Sequence, residues 1–239
     1  MFRRLRLFPL NAVLFPGAAL NLHIFEARYK QMISECLESG EGFGVALIAE
    51  GAEAGDPNVT PHSVGSIAEI VDVQPLPFGR YYISTIGRQR FRITEIVNRD
   101  PYLTVEAEVL DDEDDADGDE DVGDLSERVR QLFTEYLELV VEFSGRESAV
   151  ELPDDAESTS YLVGDTLQIA EAVKQRLLEL HTTRERLAAE RDFLEPLLPQ
   201  LRRLLERRRK ELEARRERGE DLSYRPHQEK YFGKYFSLN

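Results

Sequence analysis

The greatest concentration of potentially reactive side chains lies in residues 111–124, where ten of the fourteen residues are Asp or Glu. Counted from Glu113, several acids fall at the spacing of a calcium-binding loop, whose ligands are oxygen atoms at alternating positions. The pattern is incomplete, because the first position is Glu and the twelfth, Asp124, has a shorter side chain than the usual Glu. We therefore interpret the segment as a solvated linker or loop and leave divalent-cation binding open.

Signatures of catalysis, metal binding and nucleotide binding are otherwise lacking. The four histidines are scattered without ligand spacing. Cys36, the one cysteine, lies on the apolar face of a predicted helix, which favours a buried and inert thiol. Glycines 40, 42 and 44 follow a predicted helix and precede a strand, the reverse order of a dinucleotide loop. We predict no catalytic, cofactor-binding or metal-binding residue; a small-molecule sensor or enzyme with an unrecognised site remains an alternative.

Apolar side chains at a predicted hairpin tip are the first candidate for binding. Residues 74–82 combine two prolines and a glycine with residues that solvent would disfavour. Exposed apolar tips often mark contact sites. A tip that folds back over the sheet is the structural alternative. The predicted peptide-binding residues are Leu76, Pro77, Phe78, Tyr81 and Tyr82.

Two further segments could bind a partner. Residues 202–218 hold nine basic and four acidic residues, so they could bind phosphate, a nucleic acid or an acidic partner such as residues 111–124 of this chain, although a solvated helix is the simpler interpretation. The whole chain has 46 acids and 30 bases, a formal charge of −16 that disfavours phosphate backbones. Near the carboxyl terminus, four aromatic residues could dock on this chain or support self-association: Tyr231, Phe232, Tyr235 and Phe236.

The amino-terminal half has the pattern of short strands. Residues 5–110 contain several alternating or apolar runs separated by hairpin-length gaps. One helix is predicted over 26–37, ending at Gly40. Pro9 is expected to end the first strand or to place it at an edge. One helix among short strands predicts a small, closed or half-closed β-barrel.

The period of the apolar residues becomes helical from Leu125 onward. Asp124 with Glu127, and Thr182 with Glu185, have the spacing of capping boxes that begin helices. Two prolines, at 196 and 199, predict a kink or break in the last helix. The predicted division is a barrel over 1–110, an acidic linker or loop over 111–124, a helical bundle over 125–218 and an aromatic tail over 219–239. The fold class is α+β.

An uncharged run over residues 7–25 follows three arginines and could pass for a signal peptide or a membrane span. Two prolines, a glycine and polar residues interrupt it, whereas such segments are more continuously apolar. We therefore expect a cytoplasmic protein without membrane contact, which agrees with the single cysteine.

Several sequence blocks together resemble the N-terminal domain of the ATP-dependent Lon protease family. The likeness covers roughly residues 5–200, and its first block, with two Phe-Pro steps and Ile-Phe-Glu-x-Arg-Tyr, is the most specific part. The blocks are Leu7–Leu10, Val13–Gly17, Leu20, Leu22, Ile24–Glu26, Arg28–Tyr29, Phe43–Ile48, Val64–Ala68, Gly87–Phe91, Lys174–Gln175, Leu177–Glu179 and Arg186–Leu187.

The resemblance implies a PUA-like β-barrel followed by a helical bundle. In the full protease this region is the part that recruits substrates and supports oligomers. The Gly-x-x-x-x-Gly-Lys-Ser/Thr phosphate loop of an ATPase does not occur in the sequence. We therefore expect a stand-alone, non-catalytic module that binds unfolded or apolar protein segments, in some settings together with a separate ATPase or protease. A PUA-like nucleic-acid-binding protein that uses the basic helix is the alternative.

Overall fold

The computed structural model describes residues 2–52, 56, 58–112, 121–145 and 150–218. Most of the predicted acidic segment and the whole aromatic tail therefore lie outside the described residues. Within those ranges the chain forms seven strands and five helices, an α+β fold as predicted. The strands are β1 (Phe2–Leu10), β2 (Ala19–Ile24), β3 (Phe43–Glu50), β4 (Thr60–Pro61), β5 (Val64–Leu76), β6 (Arg80–Asn98) and β7 (Leu103–Leu110). The helices are α1 (Ala27–Ser39), α2 (Val122–Ser144), α3 (Ala156–Thr166), α4 (Glu171–Glu179) and α5 (Thr183–Glu217).

The strands form one sheet in the order β1-β7-β6-β5-β3-β4, with β2 paired to β6 beside this path. The pairing of β1 with β3 is parallel, and the other pairings are antiparallel. Strand β1 changes partner along its length, since residues 2–7 pair with β7 and residues 7–10 pair with β3. Pro9 pairs with Ala46 of β3, beyond the residues that pair with β7. One side of β1 is thus unpaired at Pro9, which is where a residue without an N–H is tolerated.

Two apolar clusters lie in the sheet-containing part of the chain. One buries Tyr29, Met32, Ile33 and Cys36 of α1, four of the five residues whose spacing predicts the apolar face of this helix. The fifth, Leu37, is instead 44% exposed. The helix ends at Gly40, whose φ of 69° is a left-handed cap conformation that suits glycine. The second cluster is formed by alternate residues of β7, by residues of four other strands and by Val59, which precedes β4. Its buried members are Leu5, Leu7, Ala46, Val59, Ile67, Phe91, Leu103, Val105 and Ala107.

A separate apolar cluster joins α2, α3 and α5. Helix α2 begins three residues before the predicted capping box, because the carboxylate of Asp121 accepts from the N–H groups of Gly123 and Asp124. In a run of acids several residues can cap equally well, so the sequence could not choose among them. The second predicted capping box is confirmed: the Glu185 N–H donates to the Thr182 hydroxyl at 3.1 Å, and the Thr182 N–H donates to the Glu185 carboxylate at 3.3 Å.

Of the kink or break predicted at the two prolines of the last helix, the break is wrong. Helix α5 runs continuously from Thr183 to Glu217 and contains both Pro196 and Pro199. Each proline removes one backbone donor from the helix. However, Leu194, Leu197, Leu198 and Leu201 around the prolines are buried in the cluster with α2, so packing on this face outweighs the lost hydrogen bonds.

Contacts divide the chain into two compact units that do not follow chain order. The first contains the sheet, α1, Gly164–Thr166 and Glu171–His181, and the second contains α2, the rest of α3 and α5. The position of α4 after residue 125 predicts that it belongs to the helical bundle. In the structure the Gln175 side-chain amide donates to the Val64 carbonyl at 3.0 Å, which ties α4 to strand β5 of the first unit.

No helix among the described residues combines the length and the apolar character needed to cross a membrane.

Candidate functional site

The predicted hairpin tip joins β5 to β6 through the tight turn Pro77–Gly79. Phe78 has a φ of 66°, and its side chain is 89% exposed. A left-handed conformation costs a residue with a Cβ about 1–2 kcal/mol. A large aromatic ring on a strained backbone and almost fully in solvent contributes little to the packing of the described residues, which makes Phe78 a candidate contact residue.

The five predicted residues separate into two groups around the tip. Pro77, Phe78 and Tyr82 are exposed, with 51% of Tyr82 accessible to solvent. Leu76 is half-buried, and Tyr81 packs against the apolar cluster that surrounds α1. Because neighbouring strand residues point to opposite faces, Tyr81 and Tyr82 could not both face outward. The outward group can contact a partner, whereas Tyr81 supports the strand from within.

Two aromatic residues that the sequence analysis did not assign to the site extend this group. Strand β2 pairs with β6, and His23 lies opposite Tyr82 with ring centroids 4.7 Å apart. The His23 ring also lies 5.6 Å from that of Phe25, which is 58% exposed. We call residues 76–82 together with His23 and Phe25 the tip surface. The sequence held no signal for this neighbourhood, because the β2–β6 pairing joins residues about sixty positions apart.

Two basic side chains lie at the tip surface. The Lys30 ammonium is 3.4 Å from the Phe78 carbonyl oxygen, and the Arg80 guanidinium donates to the Pro77 carbonyl at 3.0 Å. Among the described residues neither forms an ion pair with a carboxylate. The nearby Glu26 is instead held by Arg28 at 3.0 Å. The tip surface is therefore basic in a chain whose net charge is −16.

Cys36 is buried in the apolar cluster against α1. Burial raises the pKa of its thiol to about 11, so the thiol stays protonated near neutral pH. A protonated, inaccessible thiol is a poor nucleophile, which agrees with the interpretation from the sequence.

The side chain of Glu190 is the most unusual acid of the second unit. It is fully buried on α5, and neither carboxylate oxygen has a hydrogen-bond partner among the described residues. Burial raises its pKa well above the usual range, and the Arg186 guanidinium one turn earlier opposes this shift. Arg186 itself donates to Ser160 and Thr183 and lies over the Tyr161 ring at 4.1 Å. The group is a buried polar cluster within the helices.

The basic stretch of α5 is partly neutralised by α2. Arg202 forms an ion pair with Glu135, and Arg209 donates to the Glu142 carboxylate at 2.7 Å. The Arg208 guanidinium lies 4.5 Å from the centroid of the Phe143 ring. These contacts use bases that a nucleic acid would require, which favours the structural interpretation of the stretch.

Metal ligands do not cluster in the part of the chain that the structure describes. His23 lies in the tip surface, and His62 lies 3.5 Å from the Glu179 carboxylate. Asp121 caps α2. The acids at the centre of the calcium-like pattern lie outside the described residues.

Comparison with known sequences assigns this chain to a family. A family profile described as the ATP-dependent protease La (LON) substrate-binding domain matches residues 4–195. The Lon protease of Flavobacterium johnsoniae is 24% identical over 186 residues, covering 74% of this chain and 22% of the relative. That of Anaeromyxobacter dehalogenans is 28% identical over 173 residues, covering 71% and 20%. That of Parabacteroides distasonis is 32% identical over 134 residues, covering 55% and 16%. The chain thus spans about a fifth of the length of these curated relatives.

Solved structures agree with this assignment. A Lon N-terminal domain protein from Xanthomonas campestris is 26% identical with a TM-score of 0.58, covering 78% of this chain and 96% of that one. The N-terminal domain of Lon protease from the Mycobacterium avium complex has a TM-score of 0.57 at 19% identity, covering 80% and 98%, and shows the likeness of fold alone. The resemblance predicted from the sequence is confirmed: this chain belongs to the family of the ATP-dependent protease La (LON) substrate-binding domain.

Proposed function

We propose that this protein is a substrate-recruiting module that holds unfolded or apolar segments of other proteins at the tip surface. Support comes from the family, whose name describes substrate binding, and from the match of this chain to about a fifth of each protease relative. We further propose that the closed path of strands, in which β1 pairs with both β7 and β3, is a PUA-like barrel that carries the site.

The observation that carries the proposal is the placement of Phe78. Its ring is 89% exposed on a left-handed backbone, and the exposed rings of Phe25 and Tyr82 belong to the same tip surface. Burying such rings against a partner's apolar side chains contributes about 1.5–3 kcal/mol for each ring. Three rings in one surface could therefore hold a flexible segment without any covalent step.

The proposed role includes no chemistry on the bound protein. Cys36 is a buried thiol with a raised pKa, and the described residues contain no group of candidate metal ligands. In this proposal a separate ATPase or protease in the cytoplasm receives the recruited chain and supplies the energy and the bond cleavage. The module itself binds the unfolded segment and determines which segments are recruited.

The experiment measures binding of a permanently unfolded protein, reduced and carboxymethylated α-lactalbumin, by fluorescence anisotropy. We expect wild type to bind and Phe78→Ala to weaken binding by about tenfold. Phe2→Ala is the matched control, because Phe2 is 68% exposed on β1 outside the tip surface and its loss should leave affinity unchanged. Absence of binding by wild type contradicts the proposed function, and equal loss in both variants contradicts the assignment to the tip surface.

A further inference from the structure

Strand β2 pairs with β6 on one side, and on its outer edge no other described strand pairs with it. The Gly87 N–H donates to the Ala18 carbonyl at 2.8 Å, which sets the alternation of backbone groups along the β2–β6 pair. Ala19, Asn21 and His23 consequently direct their N–H and C=O groups away from β6. Three residues of β2 therefore offer backbone hydrogen bonds to a further strand.

The Gly17 N–H and the Ala18 carbonyl both bond to Gly87, which makes a bulge just before β2, but within Ala19–Ile24 the edge has no such protection against pairing. Natural sheets protect exposed edges with charged residues, proline or bulges. The six residues of β2, Ala-Leu-Asn-Leu-His-Ile, include neither a charge nor a proline, and the β2–β6 register is regular. In a chain of which 32% of residues are charged, an uncharged open edge is an unusual feature. It suits the backbone of an extended segment.

The two faces of β2 differ in what an added strand would contact. Leu20 and Leu22 are half-buried against the apolar cluster, on the inner face of the sheet. On the other face His23 lies beside Tyr82 and Phe25. Because side chains of an added strand alternate between faces, one set would meet leucines and the other would meet aromatic rings. Both faces favour apolar side chains.

Charge distinguishes the two ends of this edge. Ile24, at the end of β2, pairs with Tyr81, and Arg80 and Lys30 lie beside this pair at the tip. Their positive charges have no carboxylate partner among the described residues. At the other end, Ala19 pairs with Ile86, and the nearby Arg88 is neutralised by Glu69. A carboxylate on the bound segment is therefore favoured at the tip end only.

We propose that the outer edge of β2 binds an extended apolar segment of another protein as an added strand, with a carboxylate of that segment beside Lys30 and Arg80. This inference rests on the proposed function and specifies the substrate class: uncharged, extended stretches with an acidic residue at one end. The backbone hydrogen bonds supply affinity for many sequences, whereas the leucines on one face, the aromatic rings on the other and the two cations supply preference.

The decisive variant is Asn21→Pro. Proline removes the outward N–H at the centre of the edge and leaves the β2–β6 hydrogen bonds intact, since Asn21 does not direct its backbone groups to β6. Asn21→Ala is the matched control, because it retains the N–H. We expect Asn21→Pro to weaken binding of unfolded α-lactalbumin by about tenfold or more, and Asn21→Ala to stay near wild type.

The charge preference is tested with labelled peptides of eight alternating valine and threonine residues, flanked on both sides by two glutamates or by two lysines. We expect wild type to favour the glutamate peptide, and Lys30→Gln combined with Arg80→Gln to abolish the preference. Equal binding of both peptides by wild type overturns the carboxylate part of the proposal.

The outcomes separate this inference from the function on which it rests. If wild type and Asn21→Pro bind unfolded protein equally, strand addition is overturned and the recruiting function stands. If wild type binds no unfolded protein, both fail. If Asn21→Pro does not fold, amide hydrogen exchange of wild type decides: protection of Ala19, Asn21 and His23 on binding supports the inference, and unchanged exchange overturns it. A dimer of the free protein that Asn21→Pro dissociates would assign the edge to a second copy and also overturn it.

Discussion

Arg90 of strand β6 donates to the backbone carbonyl of Leu178 at 2.9 Å and so holds the last turn of helix α4. Its guanidinium also bonds the carbonyls of Leu180 and His181 and forms an ion pair with Asp112. The last carbonyls of a helix have no partner within the helix, so a buried arginine from a strand satisfies them here. Arg90 thereby joins the sheet, α4 and the start of the acidic segment.

We expect Arg90→Leu to lower the free energy of unfolding by about 3–5 kcal/mol, because it removes a buried guanidinium that bonds the carbonyls after α4 and pairs with Asp112. Urea unfolding followed by circular dichroism measures the change. Arg88→Leu is the matched control, since Arg88 lies two residues earlier on β6. It forms an exposed ion pair with Glu69, and such pairs contribute about 0–1 kcal/mol to stability. Similar losses in both variants would contradict this role for Arg90.

The buried acid Glu190 predicts a specific dependence of stability on pH. Burial raises its pKa in the folded protein well above 4.5, its ordinary value in the unfolded chain. As pH rises through 4.5, the unfolded chain releases this proton first, while the folded protein still retains it. The free energy of unfolding therefore falls from pH 4.5 until the folded pKa is reached. Below pH 4.5 Glu190 is protonated in both the folded protein and the unfolded chain, so this loss of stability is absent.

Glu190→Gln cannot titrate, so we expect its stability relative to wild type to increase as pH rises above 4.5, until the raised pKa of Glu190 in the folded protein is passed. At neutral pH a gain of about 1–3 kcal/mol is expected from removing a poorly solvated buried acid. Parallel urea unfolding across this range measures it. Glu195→Gln serves as the control. Glu195 lies on α5 like Glu190, but it is exposed and forms an ion pair with Arg128 of α2. A difference that stays constant with pH would contradict the raised pKa.

Much of the fold could be predicted because its signals are local. The buried face of α1, the alternation along β7 and the capping box at Thr182 all follow from spacing within a few residues. The continuity of α5 through Pro196 and Pro199 could not be predicted, since it depends on burial of neighbouring leucines against another helix. The assignment of α4 to the first unit likewise depends on Gln175 and Arg90, whose partners are distant in sequence.

The candidate site could be predicted only in part for the same reason. The turn residues Pro77 and Gly79 locate the hairpin tip from the sequence alone. The contribution of His23 and Phe25 depends on the pairing of β2 with β6, and the contribution of Lys30 depends on how α1 lies near the tip. Such long-range pairings leave no periodic pattern in a single sequence. The role of all these residues in binding stays a prediction.

The strained backbone of Phe78 allows stability and binding to be separated. With a φ of 66°, the Cβ of this residue opposes the left-handed conformation by about 1–2 kcal/mol. Phe78→Gly removes that strain but increases the freedom of the unfolded chain by about 0.4–1 kcal/mol. We expect a net gain of about 0.5–1 kcal/mol in the free energy of unfolding, because an 89% exposed ring contributes little packing.

Phe78→Ala is the comparison for Phe78→Gly. Both variants remove the ring, but alanine retains the Cβ and therefore the backbone strain. We expect both variants to lose affinity for unfolded α-lactalbumin equally, and only Phe78→Gly to become more stable. Thermal unfolding and anisotropy on the same samples measure the two effects. If Phe78→Gly is instead less stable than wild type, the ring contributes to the fold and its exposure cannot be taken as support for a binding role. If it gains stability and loses binding, the strain is maintained at a cost that only the contact with a partner explains.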